Sequence, residues 1–138
     1  MKILIDTNVL LDSLLEREPF IADATQVFDL IEKQKHIAYL TATSITDIYY
    51  LSKKQLDSSS SALDLIKKII AVFEIASIDK NVIKKAAELD FKDFEDAVQY
   101  QSAKNENIDI IITRNQKDFK KSSIKILSPV QFLKQFNK

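Results

Sequence analysis

The sequence predicts an α/β protein, a three-layer α/β/α sandwich around a central parallel sheet of about five strands. Short apolar runs rich in Ile and Leu alternate along the chain with longer segments whose apolar residues recur at helical spacing. This alternation is typical of a parallel sheet covered by helices on both faces. The 138 residues contain no internal repeat and no linker-like stretch, so we expect a single domain over residues 1–138.

Each element has its own signal. Apolar runs of strand length and composition predict strands at 2–6, 36–40, 74–78, 108–112 and 124–127. Helical spacing and capping residues predict helices at 8–16, 20–35, 44–54, 62–73, 80–89, 93–106 and from Ser128-Pro129 onwards. Asp79 is expected to cap its helix, and Pro129 suits a first helical position. The serine-rich stretch 56–61 is expected to be a loop whose last Ser caps the next helix.

Composition excludes several kinds of site. The chain has no Cys, which excludes disulfides and thiolate chemistry, and no Gly, which excludes glycine-rich phosphate loops. Its 20 basic and 20 acidic residues balance, so a nucleic-acid partner would need a local basic patch. No apolar run has the length of a membrane span or of a secretion signal core. We therefore expect a cytoplasmic protein without membrane contact.

Polar side chains follow two of the predicted strands. Asp6 ends the first strand, and Thr113, Arg114, Asn115 and Asp118 come after the fourth. In open parallel sheets ligands bind outside the carboxyl ends of the strands, so these residues are candidates for one site. Asp6 could instead cap the following helix, and the residues after the fourth strand could instead form a turn.

Two predicted helices add further acids. Asp47 lies among apolar and hydroxylic residues, whereas Asp93 and Asp96 are three residues apart and share a helix face. An exposed stripe is the alternative for Asp47, and helix N-terminal charge is the alternative for Asp93. Carboxylates within a few ångströms repel one another unless a cation offsets them. Mg²⁺ or Mn²⁺ suits oxygen ligands, whereas a lone His36 and the lack of Cys argue against zinc.

Four segments together resemble the PIN domain. They are "ILIDTNVLLD" at 3–12, the helical acid at position 47, "DFEDA" at 93–97 and "TRNQKDF" at 113–119. Their order and spacing match over roughly residues 1–135, and the pattern is most similar to prokaryotic single-domain PIN proteins, the group that includes VapC-type toxins. The resemblance implies an α/β/α sandwich and a Mg²⁺- or Mn²⁺-dependent endoribonuclease, which could be the toxin of a toxin–antitoxin pair.

The match assigns roles to the acids. Asp6 takes the first acidic position of the family and Asp96 the third, while Asp47 stands where Glu is more common. Asn115 stands where many members have Asp, and Asp118 follows three residues later. The resemblance thus implies Asp6, Asp47, Asp96 and Asp118 as catalytic residues. Asp6, Asp96, Asp47 and Asn115 are the implied metal ligands, although Asp47 is short for direct ligation and Asn115 carries no charge.

Neighbouring residues are expected to support this chemistry, in which water attacks phosphorus in line. Thr7 and Asn8 are predicted to brace Asp6 by hydrogen bonds, and Asp93 is a plausible helper. Thr113 is predicted to contact phosphate. Arg114 is predicted to bind phosphate as well, because guanidinium matches it bidentately.

Two features bear on how RNA would bind. Lys53 and Lys54 could form a local basic track that the neutral net charge hides, although paired lysines are more often solvated helix faces. Tyr49, Tyr50 and Tyr100 are expected to lie in the core rather than to stack on bases.

The resemblance also implies protein partners, namely a small antitoxin and a second copy of the chain in a homodimer. Apolar residues in 8–15 and 44–51 could form such an interface, or they could be core.

Two other functions are open. The departures at Asp47 and Asn115 are compatible with a PIN-like module whose weakened site only binds RNA or protein. A phosphotransfer enzyme of haloacid-dehalogenase type would use Asp6 as nucleophile and carry a second Asp two residues on. Asn8 occupies that position, which argues against this class.

Overall fold

The computed structural model describes residues 1–119 and 122–137, and its centre is a five-stranded parallel sheet. The strands are β1 (Lys2–Ile5), β2 (Ile37–Thr41), β3 (Glu74–Ala76), β4 (Ile110–Ile112) and β5 (Lys125–Leu127). Their order across the sheet is β3-β2-β1-β4-β5, and every neighbouring pair is parallel. The chain thus builds outward from β1 through β2 to β3, and then continues on the other side of β1 with β4. The topological switch point lies between β1 and β4.

Helices cover both faces of the sheet. Seven α-helices fall within the described residues: α1 (Thr7–Leu14), α2 (Ile21–Lys33), α3 (Ala42–Leu56), α4 (Ser59–Val72), α5 (Lys80–Ala87), α6 (Phe94–Asn105) and α7 (Pro129–Phe136). A 3₁₀ helix, Gln116–Phe119, was not expected from the sequence. The predicted class, an α/β sandwich with about five parallel strands, is confirmed. None of the helices in residues 1–119 and 122–137 is long and apolar enough to cross a membrane.

The core has two halves, one on each face of the sheet. Ile3 and Ile5 point into a cluster with α1, α2, α3, α4 and α7, while Leu4 points into a cluster with α6. Because both faces are covered, all three residues are fully buried, which is why β1 reads as a continuous apolar run. The apolar residues 9–11 of α1 are also buried and therefore belong to the core rather than to a partner interface.

Helix caps explain where several helices begin. Asp79 accepts a hydrogen bond from the Val82 N–H at 2.9 Å, as predicted. The expected loop at 56–61 is wrong, because α3 continues to Leu56 and α4 already begins at Ser59. Ser58, rather than the last serine of the run, is the cap, and its Oγ accepts from the Ser61 N–H at 3.1 Å. An earlier cap places the following serines inside the first turn.

Candidate active site

A cavity of about 540 Å³ opens at the carboxyl edge of the sheet, beside the switch point. Its acidic lining comes from the residue after β1, from α3, from the start of α6 and from the 3₁₀ helix after β4. These carboxylates are Asp6, Asp47, Asp93, Glu95, Asp96 and Asp118. Of the ten site residues predicted from the sequence, eight line the cavity, and Thr113 and Arg114 do not.

Asp6 is held at the end of β1 by β4. Its backbone N–H donates to the carbonyl of Ile112 at 3.0 Å, and its Oδ2 accepts from the Thr113 hydroxyl at 2.8 Å. Asp6 occupies the N-cap position of α1, but its side chain makes no capping hydrogen bond. Helix capping therefore does not explain the orientation of this carboxylate. Burial raises the pKa of Asp6, and the hydrogen bond from Thr113 partly offsets that rise.

Thr113 supports Asp6 instead of facing a ligand. Its side chain is fully buried, and its Oγ1 also accepts from the Asn115 N–H at 3.1 Å. The prediction that Thr113 contacts phosphate is therefore wrong. The end of β4 buries this residue, so its hydroxyl joins the Asp6 carboxylate to the backbone of Asn115.

The first turn of α6 concentrates negative charge. Asp93 is the N-cap, and its Oδ1 accepts from the Asp96 N–H at 3.0 Å, so the helix-terminal role considered for Asp93 is present. Burial and, to a smaller extent, the charges of Asp93, Asp118, Asp6 and Glu95 together raise the pKa of Asp96 to about 7. The carboxylates of the cavity are therefore close enough to oppose one another's ionisation.

Glu95 is a lining residue that sequence reasoning did not assign to the site. A hydrogen bond shared with the Asp47 carboxylate raises the pKa of Glu95, and burial and the charge of Asp47 add to the effect. Asp47 is half-buried rather than part of an exposed stripe. The available signal was the acidic run at 93–96, from which the sequence alone could not tell which acids turn inward.

Hydroxyl groups after β2 form a second part of the lining. Thr7 Oγ1 donates to Ser44 Oγ at 2.6 Å, and Ser44 Oγ lies 2.9 Å from Thr41 Oγ1. The Asn8 side-chain oxygen accepts from Arg17 at 3.3 Å. The side chains of Thr7 and Asn8 are thus bonded elsewhere, and of the hydrogen bonds predicted to brace Asp6 the structure shows that of the Thr7 backbone N–H, which lowers the pKa of the Asp6 carboxyl. Both residues belong to the first turn of α1, which directs their side chains toward α3 and Arg17.

Arg114 lies in the loop that follows β4, and its side chain packs against Asp12 of α1 and the ring of Phe20. Its Nε donates to Asp12 Oδ2 at 2.7 Å and its guanidinium lies 3.9 Å from the centroid of the Phe20 ring. Asp12 is 1% exposed and also lies 3.8 Å from Arg17. The guanidinium predicted to bind phosphate is thus engaged by a buried carboxylate. The sequence signal for this ion pair was Asp12, an acid that follows the apolar residues 9–11 of α1.

Gln99 brings an unpartnered amide to the cavity. The residue is 6% exposed, and within the described chain its Nε2 forms no hydrogen bond. The amide faces Asp6 and lowers the pKa of that carboxyl, although Nε2 does not reach hydrogen-bonding geometry. A buried donor without an acceptor is costly, and it leaves one donor free for a molecule that enters the cavity.

The carboxylate and amide oxygens that line the cavity are suitable ligands for a hard divalent cation. Carboxylate and amide oxygens are the ligands of Mg²⁺ and Mn²⁺, and such a charge would offset the repulsion that raises the pKa of Asp96. Within residues 1–119 and 122–137, no three His, Cys, Asp or Glu side chains are arranged so that they could already hold a metal ion.

Comparisons with known proteins place the chain in a family. The model of the PIN domain family matches residues 2–117, and the chain therefore belongs to the PIN domain family, as the motif resemblance indicates. It is similar to Ribonuclease VapC1 of Aquifex aeolicus (strain VF5), with 30% identity over 141 residues that cover 99% of this chain and 96% of that protein.

Solved structures share the fold. A toxin–antitoxin complex from Klebsiella pneumoniae contains a chain with a TM-score of 0.69 and 22% identity, covering 91% of this chain and 96% of that one. VapBC2 from Rickettsia felis, bound to a DNA fragment from its promoter, gives a TM-score of 0.71 at 14% identity and covers 93% and 98%. At these identities the likeness establishes the fold.

Proposed function

We propose that this protein is a PIN-type endoribonuclease that hydrolyses RNA phosphodiesters. The observation that carries the proposal is the cavity at the β1/β4 switch point, where six carboxylates from four segments of the chain meet. Cavities at such switch points are the usual ligand sites of open parallel sheets. The curated relative with 30% identity over nearly the whole chain is named a ribonuclease, which supports the same activity here.

The proposed cofactor is Mg²⁺ or Mn²⁺, held by Asp6 and Asp96 with Asp47 and Asn115 completing the ligand set. When bound, such an ion would lower the pKa of a water molecule and polarise a phosphodiester. The protein's own contribution is positional. Thr113 fixes the orientation of Asp6 through a 2.8 Å hydrogen bond. Asp118 is proposed as a further catalytic carboxylate that bears on the protonation of Asp96.

The biological setting that we propose is a toxin–antitoxin pair in the cytoplasm. Residues 1–138 would act as a single domain, as a homodimer, and a small antitoxin protein would inhibit it. The Klebsiella and Rickettsia complexes that share the fold are a toxin–antitoxin pair and a VapBC pair, which supports a partner of this kind.

A cleavage assay tests the proposal. The purified protein is incubated with a mixed RNA pool and Mn²⁺, Mg²⁺ or EDTA, beside an Asp6→Asn/Asp96→Asn variant. We expect metal-dependent cutting by the wild type and a loss of at least about 1,000-fold in the variant, because both proposed ligands lose their charge. An Asp29→Asn/Asp64→Asn variant, which changes two exposed carboxylates outside the cavity, controls for the lost charge. Cutting that persists in EDTA or in the Asp6/Asp96 variant would contradict the proposal.

One observation favours a second candidate, a PIN-like module that binds RNA or protein without cutting. Asp47 is one methylene shorter than Glu and Asn115 carries no charge, and both line the cavity, so the ligand set is weaker than one of four full-length carboxylates. Wild-type protein that binds RNA but does not cut it with either metal, while remaining folded, would favour this module.

A further inference from the structure

We propose that Asp12 is a positioning residue of the candidate active site, one that acts through Arg114 and does not line the cavity itself. Its buried carboxylate anchors the loop that follows β4, and this loop carries Thr113, which holds Asp6, and Asn115, which lines the cavity. This role rests on the proposed ribonuclease function, because the reaction whose rate it affects is the cleavage of RNA.

The loop leaves the sheet at Thr113. The Thr113 N–H is bonded to the Leu127 carbonyl at the end of β5, at 3.0 Å. The Asn115 N–H turns back within the loop and donates to Thr113 Oγ1 at 3.1 Å, and the Thr113 hydroxyl in turn donates to Asp6 Oδ2 at 2.8 Å. Arg114 is the residue between Thr113 and Asn115. The position of its side chain therefore bears on both neighbours.

The Arg114 guanidinium is fixed from two directions. Its edge donates to both oxygens of Asp12, from Nε at 2.7 Å and from Nη2 at 3.3 Å. Its face lies 3.9 Å from the centroid of the Phe20 ring. A carboxylate bound bidentately defines the plane of a guanidinium, and a ring stacked on its face resists tilting out of that plane. Arg114 therefore has little freedom to move, and neither has the loop that carries it.

Stability alone does not account for a charge at position 12. Asp12 is 1% exposed, and taking an ion pair out of water costs about as much as the pair returns. Apolar side chains of similar volume often pack such a junction at least as well. What the charged pair adds is direction, because a hydrogen bond is strong over a narrow range of distances and angles. The ion pair thus selects one position of the loop.

The ion pair joins the two segments that leave the sheet at the switch point. β1 and β4 are neighbours, α1 follows β1, and the loop of Arg114 follows β4. The Asp12 carboxylate also lies 3.8 Å from Arg17, which donates to the side-chain oxygen of Asn8 at 3.3 Å. Asn8 lines the cavity from α1, as Asn115 does from the loop. Asp12 therefore supports lining residues on both sides of the switch point.

The kinetics of a variant without either charge test this role. The variant is Asp12→Leu/Arg114→Met, and the substrate is a labelled RNA with one site that the wild type cuts, in saturating Mn²⁺. We expect kcat to fall about 10- to 100-fold, because displacing a group of the site by about 1 Å can cost that much. KM should stay within about twofold of the wild-type value, because neither side chain lines the cavity.

Two conservative variants separate position from charge. Asp12→Asn keeps an oxygen that can accept from Arg114 Nε in the same place, so kcat should return to within about threefold of the wild type. Arg114→Lys keeps the positive charge but loses the bidentate fork, so kcat should fall at least about threefold. Because each changes one side chain for another of similar size, both also serve if the double variant does not fold.

Tyr50→Ala gives the opposite kinetic pattern for comparison. Tyr50 was expected in the core, and Tyr49 and Tyr100 do pack inward, but the Tyr50 side chain is 66% exposed and lines the cavity. Removing a ring that bound RNA can touch should raise KM at least about fivefold. A lining residue thus acts on KM, whereas a positioning residue behind the lining acts on kcat.

Amide hydrogen exchange, measured without RNA and in EDTA, reports on the loop directly. The Asn115 N–H is the reporter, because its hydrogen bond lies within the loop. In the double variant we expect this amide to exchange at least about tenfold faster, since opening of the loop no longer breaks an ion pair. The Asp6 N–H, which is bonded to the Ile112 carbonyl across the β1/β4 pair, should keep its wild-type rate.

Asp109→Ala is the matched control. The Asp109 side chain is exposed and accepts from the Lys2 N–H at 2.8 Å, so it joins the same two strand segments at the opposite edge of the sheet. Its loss removes a carboxylate and a junction of β1 with the chain before β4, but at a distance from the loop. We expect kcat, KM and the Asn115 exchange rate to stay close to those of the wild type.

Several results would overturn the role of Asp12. They are a folded double variant with the kcat of the wild type, a loss that appears in KM instead, an Asp109→Ala control with the same loss, and an Asp12→Asn variant as slow as the double variant. Failure of the ribonuclease proposal looks different. In that case the wild type cuts nothing with Mg²⁺ or Mn²⁺, although the Asn115 amide exchanges faster in the double variant and not in the control.

Discussion

Asp96 couples the acidic cavity to the stability of the protein. Burial and four nearby carboxylates raise its pKa to about 7, whereas an unfolded chain releases this proton near pH 4. Between these two values the native state binds more protons than the unfolded state, so the free energy of unfolding falls as the pH rises. The stabilisation is complete below about pH 4 and is lost as the pH passes through 7.

We predict that Asp96→Asn stabilises the metal-free protein at pH 8 and not at pH 4. After allowance for the partial exposure of Asp96, the gain is about 1 to 2 kcal/mol. Urea unfolding in EDTA at both pH values measures it, and the difference between wild type and variant removes the contribution of other titrating groups. Asp64→Asn, an exposed carboxylate on α4, is the control. A variant that is less stable than the wild type at pH 8 would show that Asp96 is not under this repulsion.

Gln99 and Gln101 are neighbours on α6 with the same burial and different partners. Both are 6% exposed, but Gln101 Nε2 donates to Asn105 at 3.0 Å, whereas Gln99 Nε2 has no acceptor in the described residues. We predict that Gln99→Met leaves stability unchanged or raises it by about 1 kcal/mol, because it removes an unsatisfied donor. Gln101→Met should cost about 1 kcal/mol for the lost hydrogen bond.

The two variants should also differ in activity. If Gln99 Nε2 serves a bound phosphate, Gln99→Met cuts RNA at least about tenfold more slowly, while Gln101→Met keeps the wild-type rate. Urea melts and cleavage rates of both proteins give the comparison. A slower Gln99→Met enzyme that is also strongly destabilised would mean that the amide is structural.

Residues at strand ends were the predictable part of the site. Asp6 and Asn115 follow apolar strands, and the edge to which they belong follows from the parallel sheet alone. The roles of Thr113 and Arg114 could not be predicted, because a one-residue step decides whether a side chain after a strand faces the cavity or the core. Gln99 was not found, because the rotation of α6 about its axis depends on packing that the weak apolar period of this helix does not specify.

At the scale of elements, one ion pair joins α1 to the loop that follows β4. Arg114 donates two hydrogen bonds to Asp12, at 2.7 and 3.3 Å, and Asp12 is almost fully buried. We predict that Arg114→Ala costs about 3 kcal/mol, because it leaves a buried carboxylate with only Arg17 nearby at 3.8 Å. The double variant Asp12→Leu/Arg114→Met should lie within about 1 kcal/mol of the wild type, since neither charge is left unpaired.

Arg17→Ala provides the matched control for this prediction. Arg17 is the only other Arg of the chain and approaches the same carboxylate at the longer distance, so its loss should cost less than that of Arg114. Denaturant unfolding of the four proteins measures the differences. A double variant as unstable as Arg114→Ala would show that the element junction depends on the charge pair itself.

Elements were predictable where one physical signal dominates. The strands are short runs of β-branched and aliphatic residues because both faces of the sheet are buried. Boundaries were less predictable where polar residues can serve two roles. Serine is a cap and a loop residue and is also tolerated inside a first helical turn, so the extent of α4 (Ser59–Val72) depended on which serine capped it.

Across the whole molecule, neutrality conceals a separation of charge. The 20 basic and 20 acidic residues cancel, yet six carboxylates gather at one edge of the sheet. Composition argued only that a nucleic-acid partner would need a local patch, and it could not locate that patch. The topology locates the acidic cluster instead, because it brings residues that are more than 100 positions apart in the sequence to one cavity.

The order of the strands has a consequence for synthesis of the chain. Asp6 is synthesised more than 100 residues before residues 112 and 113, which hold its backbone and carboxylate. The Thr113 N–H is in turn bound by the carbonyl of Leu127 at the end of β5. A nascent chain that has not yet released β4 and β5 from the ribosome therefore has the first acid but no cavity around it. The cavity can therefore form only after β4 and β5 have been synthesised and have paired with the strands that precede them in the chain.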